Sequence, residues 1–161
     1  MPGQAAAWIC EGEGSVKFAN PERALRWAYE TNSRPIGDNV DRHSEAALII
    51  GLCERVLPVL HMAYVRIQFG REASGFPVLS NHLAHTFGTG LHSRRSIEKI
   101  IRAYCGEKIG LREIRKAMNC GMLKAASYRN QAYDALDVIH VQSMDRLRTE
   151  MEVRGYMAGQ S

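Results

Sequence analysis

Residues 110–136 read GLREIRKAMNCGMLKAASYRNQAYDAL, and how they fold decides what the rest of the chain is for. Leu111, Ile114 and Met118 fall at helical spacing, and so do Ala125, Tyr128, Ala132 and Leu136. Between the two patterns lies Asn119-Cys120-Gly121. Asparagine tolerates the left-handed conformation better than most residues, and glycine opens a new helix readily. Cys120 is small and apolar enough to plug the turn into a core. Two readings fit: a DNA-reading helix-turn-helix, or two packed helices with a solvated basic face.

Charge favours the first. The formal net charge is +4 and the pI about 9.0. Residues 93–131 carry 10 basic and 3 acidic side chains, a balance of +7, while residues 1–92 stand at −1 and residues 132–161 at −2. All the positive excess therefore sits in one segment, which is the footprint of a polyanion site.

On the helix-turn-helix reading, the exposed start of the second helix offers Met122, Leu123, Lys124, Ser127 and Gln131, flanked by Arg129 and Asn130. Lys124 and Gln131 are side chains that read base edges or hold phosphates. Arg112, Arg115 and Lys116 face the DNA backbone from the first helix, and Arg94, Arg95 and Lys99 from the helix before it. Some residues depart from the usual pattern. Arg115 stands where a small residue is normal, Arg129 stands near an apolar position, and Met122 and Leu123 are unusually apolar for a groove-facing start.

Outward from this stretch the chain reads as all-α. Asn20 and Pro21 start a helix as N-cap and first helical residue, with Ala24, Leu25, Trp27, Ala28 and Tyr29 inside. A second helical pattern runs from about Asp41 to Gln68, with Leu48, Leu52, Val56, Val59, Met62, Ala63 and Ile67 as its stripe. Pro58 should kink or split it. Residues 70–93 are the least regular, with a short helix or turn near Leu79–Phe87 and a joint at GTGLHS. Ile97, Ile100, Ile101 and Tyr104 restore helical spacing, and Gly106 is a plausible stop. The last helix is long, with Ile139, Val141 or Ser143, and Leu147 continuing its inner side.

The expected organisation is a flexible N-terminus at 1–19, an N-terminal helical part at 20–92, a helix-turn-helix module with a long final helix at 93–157, and a tail at 158–161. The N-terminus shows neither a basic leader nor a long apolar core. The most apolar run is broken by Glu54, Arg55 and Pro58, so no membrane span and no membrane partner are expected. Cys10, Cys53, Cys105 and Cys120 lack close spacing and read as reduced residues of a cytoplasmic protein. His82 and His85 form HxxH, but two ligands do not make a metal site. FGTGLHS lacks the third glycine and the preceding strand of a nucleotide loop. No nucleophile motif or carboxylate pair stands out, so neither an enzyme nor a cofactor is expected.

With these motifs in place, the segment IEKIIRAYCGEKIGLREIRKAMNCGMLKAASYRNQAYDALDVI resembles region four of sigma factors. RALRWAYETNSRPI followed by DRHSEAALIIGLCERVL is similar to phage late-gene antiterminators of the short Q type. The resemblance spans roughly residues 21–140 in order of elements. It implies a phage or prophage regulator that binds double-stranded DNA near a late promoter, joins a paused bacterial RNA polymerase and carries it through terminators. The matching contact residues would be Lys124, Ser127, Tyr128 and Gln131, with Arg112 and Arg115 nearby; Tyr128 fits the core equally well. The stretch at 70–93 is longer than the resemblance needs. Some antiterminators bind zinc through clustered cysteines, a cluster this chain lacks. The alternative is a phage packaging factor similar to a small terminase subunit, binding DNA through the basic patch. The oligomeric state is left open by the sequence.

Overall fold

The computed structural model describes residues 17–87 and 94–158. Those residues form α1 (Pro21–Ser33), α2 (Val40–Val56), α3 (Val59–Gln68), a 3-10 turn (Ala73–Gly75), α4 (Phe76–Phe87), α5 (Arg94–Tyr104), α6 (Leu111–Met118) and α7 (Met122–Val153). The fold is all-α, as the periodicity indicates. None of the described helices is long and apolar enough to cross a membrane.

The chain divides into two compact units. One joins the residues up to Pro58 with those from Gln142 onward, and the other is Val59–Val141. The division thus falls at Pro58, not near residue 93 as the charge shift suggests. α3 and α4 belong to the same compact unit as the basic segment, and α7 contributes residues to both units.

In the first unit, Asn20 caps α1 by accepting from Arg23 N at 2.9 Å, and Pro21 starts the helix. Ala24, Leu25, Trp27, Ala28 and Tyr29 are buried, and α1 packs on α2 through Ala46, Ile49, Leu52 and Cys53. Leu48 and Val59, expected inside, face solvent. Leu52 is buried as expected, and Ala46, Ile49 and Cys53 rather than Leu48 complete the inner side of α2.

Residues 17–19 are not a loose tail. Phe18 is fully buried, with its ring 5.4 Å from that of Trp27. Its amide donates to Tyr156 O at 2.7 Å, and Ala158 N donates to Phe18 O at 2.6 Å. Gly155, at φ +79°, ends α7 and turns the chain back to make this bridge. Residues 17–19 thus belong to the packed part of the chain and not to the flexible N-terminus expected at 1–19, while residues 1–16 and the GTGLHS joint lie outside the described residues.

In the second unit, α3 packs on the 3-10 turn and on α4, α4 on α5, and α5 on α6. The described part of the stretch expected to be irregular, residues 70–87, is therefore largely helical. Phe76, Leu79, Ser80 and Leu83 form the buried side of α4. Gly75 is obligatory, because a Cβ there would collide with Ala63 O and lie 2.8 Å from Ile67 Cγ1. Along α7, Ile139 is buried in the second unit, and past the division Ser143 rather than Val141 continues the inner stripe, with Met144, Leu147 and Met151 buried in the first unit.

Candidate nucleic-acid interface

All ten residues expected to meet DNA lie in the second unit. α5 is the first support. Ile97, Ile100 and Ile101 bury one side, which leaves Arg94 and Arg95 exposed at its start and Lys99 and Arg102 half-buried further on. Gly106, at φ +102°, stops the helix, and Glu107 N closes back on Arg102 O at 3.0 Å. Arg102 bonds Glu107 at 3.2 Å and lies 4.6 Å over the Phe76 ring, which makes it a packing residue. Lys99 reaches Glu113 of α6 at 3.8 Å and links the two helices. A cleft of about 430 Å³ runs along this side, lined by Arg95, Glu98, Lys99, Arg102, Glu107 and Ile109.

α6 buries Ile114 and Met118, keeps Leu111 half-buried, and exposes Arg112 and Lys116. Arg115 is half-buried rather than open. A long aliphatic stem suits a half-buried position. Asn119 adopts φ 54° and ψ 52°, the left-handed conformation expected of it. Its amide donates to the carbonyls of Arg115 and Lys116, which satisfies the end of α6. Cys120 and Gly121 follow, and Ala125 N donates to Gly121 O at 3.0 Å in the first turn of α7.

The start of α7 separates inside from outside as expected. Ala125, Ala132 and Leu136 are buried, while Lys124, Ser127 and Gln131 are exposed. Gln131 Nε2 donates to Ser127 Oγ at 3.1 Å. Tyr128 is half-buried, with Lys124 Nζ 5.9 Å from its ring centre, so it supports Lys124 and is not a deep core residue. Arg129 is also half-buried. Its guanidinium lies 5.9 Å from the Tyr133 ring, its Nε is buried without a hydrogen-bond partner, and its Nη2 donates to Asn130 Oδ1 at 3.4 Å. That is the inward position its place in the motif suggested.

A part-exposed polar aromatic cluster escaped the sequence reading. Tyr104 Oη donates to Asp137 Oδ1 at 2.6 Å, and Tyr64 Oη meets His140 Nδ1 at 2.7 Å. The Tyr104 and Tyr133 rings stack edge to face at 5.3 Å, and Tyr64 adds a third ring 6.4 Å from Tyr104. Burial pushes both the Tyr64 and Tyr104 hydroxyls far above the ordinary value of 10.0, and the Asp137 carboxylate raises Tyr104 further. Both stay neutral, so both keep their proton to donate. Burial also pushes the Cys105 thiol up to about 12, with Glu107 adding to the effect and Arg71 opposing it. The available signal was Tyr133, Asp137 and His140 at i, i+4 and i+7 on one side of α7. These bonds tie α3, α5 and α7 to one another within the second unit.

His82 and His85 lie one turn apart on α4, and among the described residues no three histidine, cysteine or acidic side chains gather as a metal set. Cys53, Cys105 and Cys120 are free thiols. No protein-family model, curated protein or solved structure matches the chain.

Proposed function

We propose that this protein is a sequence-specific, double-stranded-DNA-binding transcription regulator, of the kind a phage or prophage uses as an antiterminator acting on bacterial RNA polymerase. The observation that carries the proposal is the turn at Asn119. It joins a short basic helix to one whose near end exposes Lys124, Ser127 and Gln131 over a buried Ala125, Ala132 and Leu136. A helix in the major groove needs exposed side chains that reach base edges over a closed apolar back, and Lys124, Ser127 and Gln131 over Ala125, Ala132 and Leu136 suit that need. Arg94, Arg95, Arg112 and Lys116 are exposed in the same unit and suit phosphate contact. Lys99 can exchange its Glu113 partner for a phosphate, and Arg115 and Tyr128 serve as supports.

Two measurements separate DNA reading from polymerase action. Selection from a duplex library with a randomised centre should enrich one site, and binding to it should weaken steeply with salt. Transcription by purified bacterial polymerase through a terminator, from a template carrying that site, should give read-through only when the protein is added. No enrichment would refute base reading. Enrichment without read-through would refute the antiterminator role.

A further inference from the structure

The mixed character of the leading edge of α7 gives this reading a base preference. Leu123 is 90% exposed and Met122 46% exposed, an unusual pair of apolar side chains to leave in water. Both lie in the first turn of α7, and helical side chains lean toward the helix start, so both project ahead of it. Leu123, Ser127 and Gln131 follow at i, i+4 and i+8, so the leucine belongs to the same exposed face as the polar residues. Gly121 just before it has open space where a side chain would be.

Charge identifies what covers this tip. Lys124 is its neighbour, Arg112 and Lys116 are exposed on the preceding helix, and the surrounding segment of residues 93–131 carries +7. The core of a protein–protein patch is depleted of lysine, whereas an apolar spot among phosphate-seeking cations fits a DNA groove. The apolar feature of the major groove is the 5-methyl group of thymine. Resting on the duplex-reading proposal above, we infer that Leu123, flanked by Met122, reads thymine methyl groups in the major groove while Lys124, Ser127 and Gln131 meet polar groups beside them.

The test uses the full chain and the duplex enriched by selection. Each thymine is replaced in turn by uracil, which removes the methyl group and keeps the pairing. One or two replacements should weaken binding about fourfold each, the effect of one lost buried methyl group. Leu123→Ala should bind the original duplex as weakly as wild type binds the uracil duplex, and should no longer distinguish the two. Its thermal midpoint should match wild type, because the side chain is exposed. An enriched duplex whose uracil forms bind wild type equally would overturn the methyl contact and leave DNA reading standing. Failure to enrich any duplex would overturn both.

Discussion

The two ends of α7 use one helix for opposite purposes. At the near end the inner side chains are the small Ala125 and Ala132, and Lys124, Ser127 and Gln131 stand in solvent. At the far end Met144, Leu147 and Met151 fill a core, and Ser143 is the small residue among them. Small inner residues let a helix lie close to its neighbours while its outer face stays polar. Large ones anchor it by the surface they bury. The near end is thus shaped as a surface and the far end as a support.

Substitutions should separate the two. The largest effect is expected from Leu147→Ala, which empties a fully buried position and should cost about 3 kcal/mol in urea unfolding. Lys124→Ala at the near end should change stability by less than about 0.5 kcal/mol while weakening binding and relaxing the preference for the selected duplex. Similar stability losses from both would erase the distinction.

The middle of the helix comes next. Tyr104→Phe removes the hydrogen bond to Asp137 and should cost about 1–2 kcal/mol. The pH dependence has a definite sign. The folded hydroxyls of Tyr64 and Tyr104 ionise well above 10.0, so their contribution is complete below that pH. As the pH climbs past it the unfolded chain ionises first, and stability falls. Alkaline unfolding curves should show this loss, and Tyr104→Phe should make it shallower.

Smaller effects belong to the turn and to the ion pair beside it. Asn119→Ala should cost about 1 kcal/mol, because its left-handed backbone strains an alanine, whereas Asn119→Gly should stay within a few tenths. Equal costs for the two would mean that the asparagine side chain, not the backbone, holds the turn. Glu113→Gln should barely alter stability, since the pair with Lys99 is partly exposed. It should modestly tighten duplex binding by freeing that cation.

Much of this arrangement was legible in local sequence. Asn20 and Pro21, Pro58, Asn119 and the alternation of Ala125 with Lys124 each act within a few residues, so their chemistry shows in the order of the chain. α4 was harder, because Ser80 interrupts its apolar side and Gly75 and Pro77 resemble loop punctuation. Their actual roles are close approach to α3 and a place in the first helical turn. Leu48 misled because α2 is apolar on more than one side, and only its partner α1 selects the inner one. The Phe18 bridge to Tyr156 and Ala158 and the Tyr64–His140 bond join residues far apart in sequence, where no local pattern can announce them. Of the candidate contacts, Lys124, Ser127 and Gln131 are exposed, and the half-buried ones are Arg115, which fitted the motif badly, and Tyr128, which fitted the core equally well.

The central claim is most directly tested by titrating wild type and Lys124→Ala against the selected duplex and a scrambled one across a range of salt. Wild type should prefer the selected duplex at every salt concentration. Lys124→Ala should bind the selected duplex more weakly and prefer it less strongly at each salt concentration, because one of several reading side chains is gone. Wild-type binding that does not distinguish the two duplexes, or a preference that survives Lys124→Ala intact, would contradict the assignment of α7 as a reading helix.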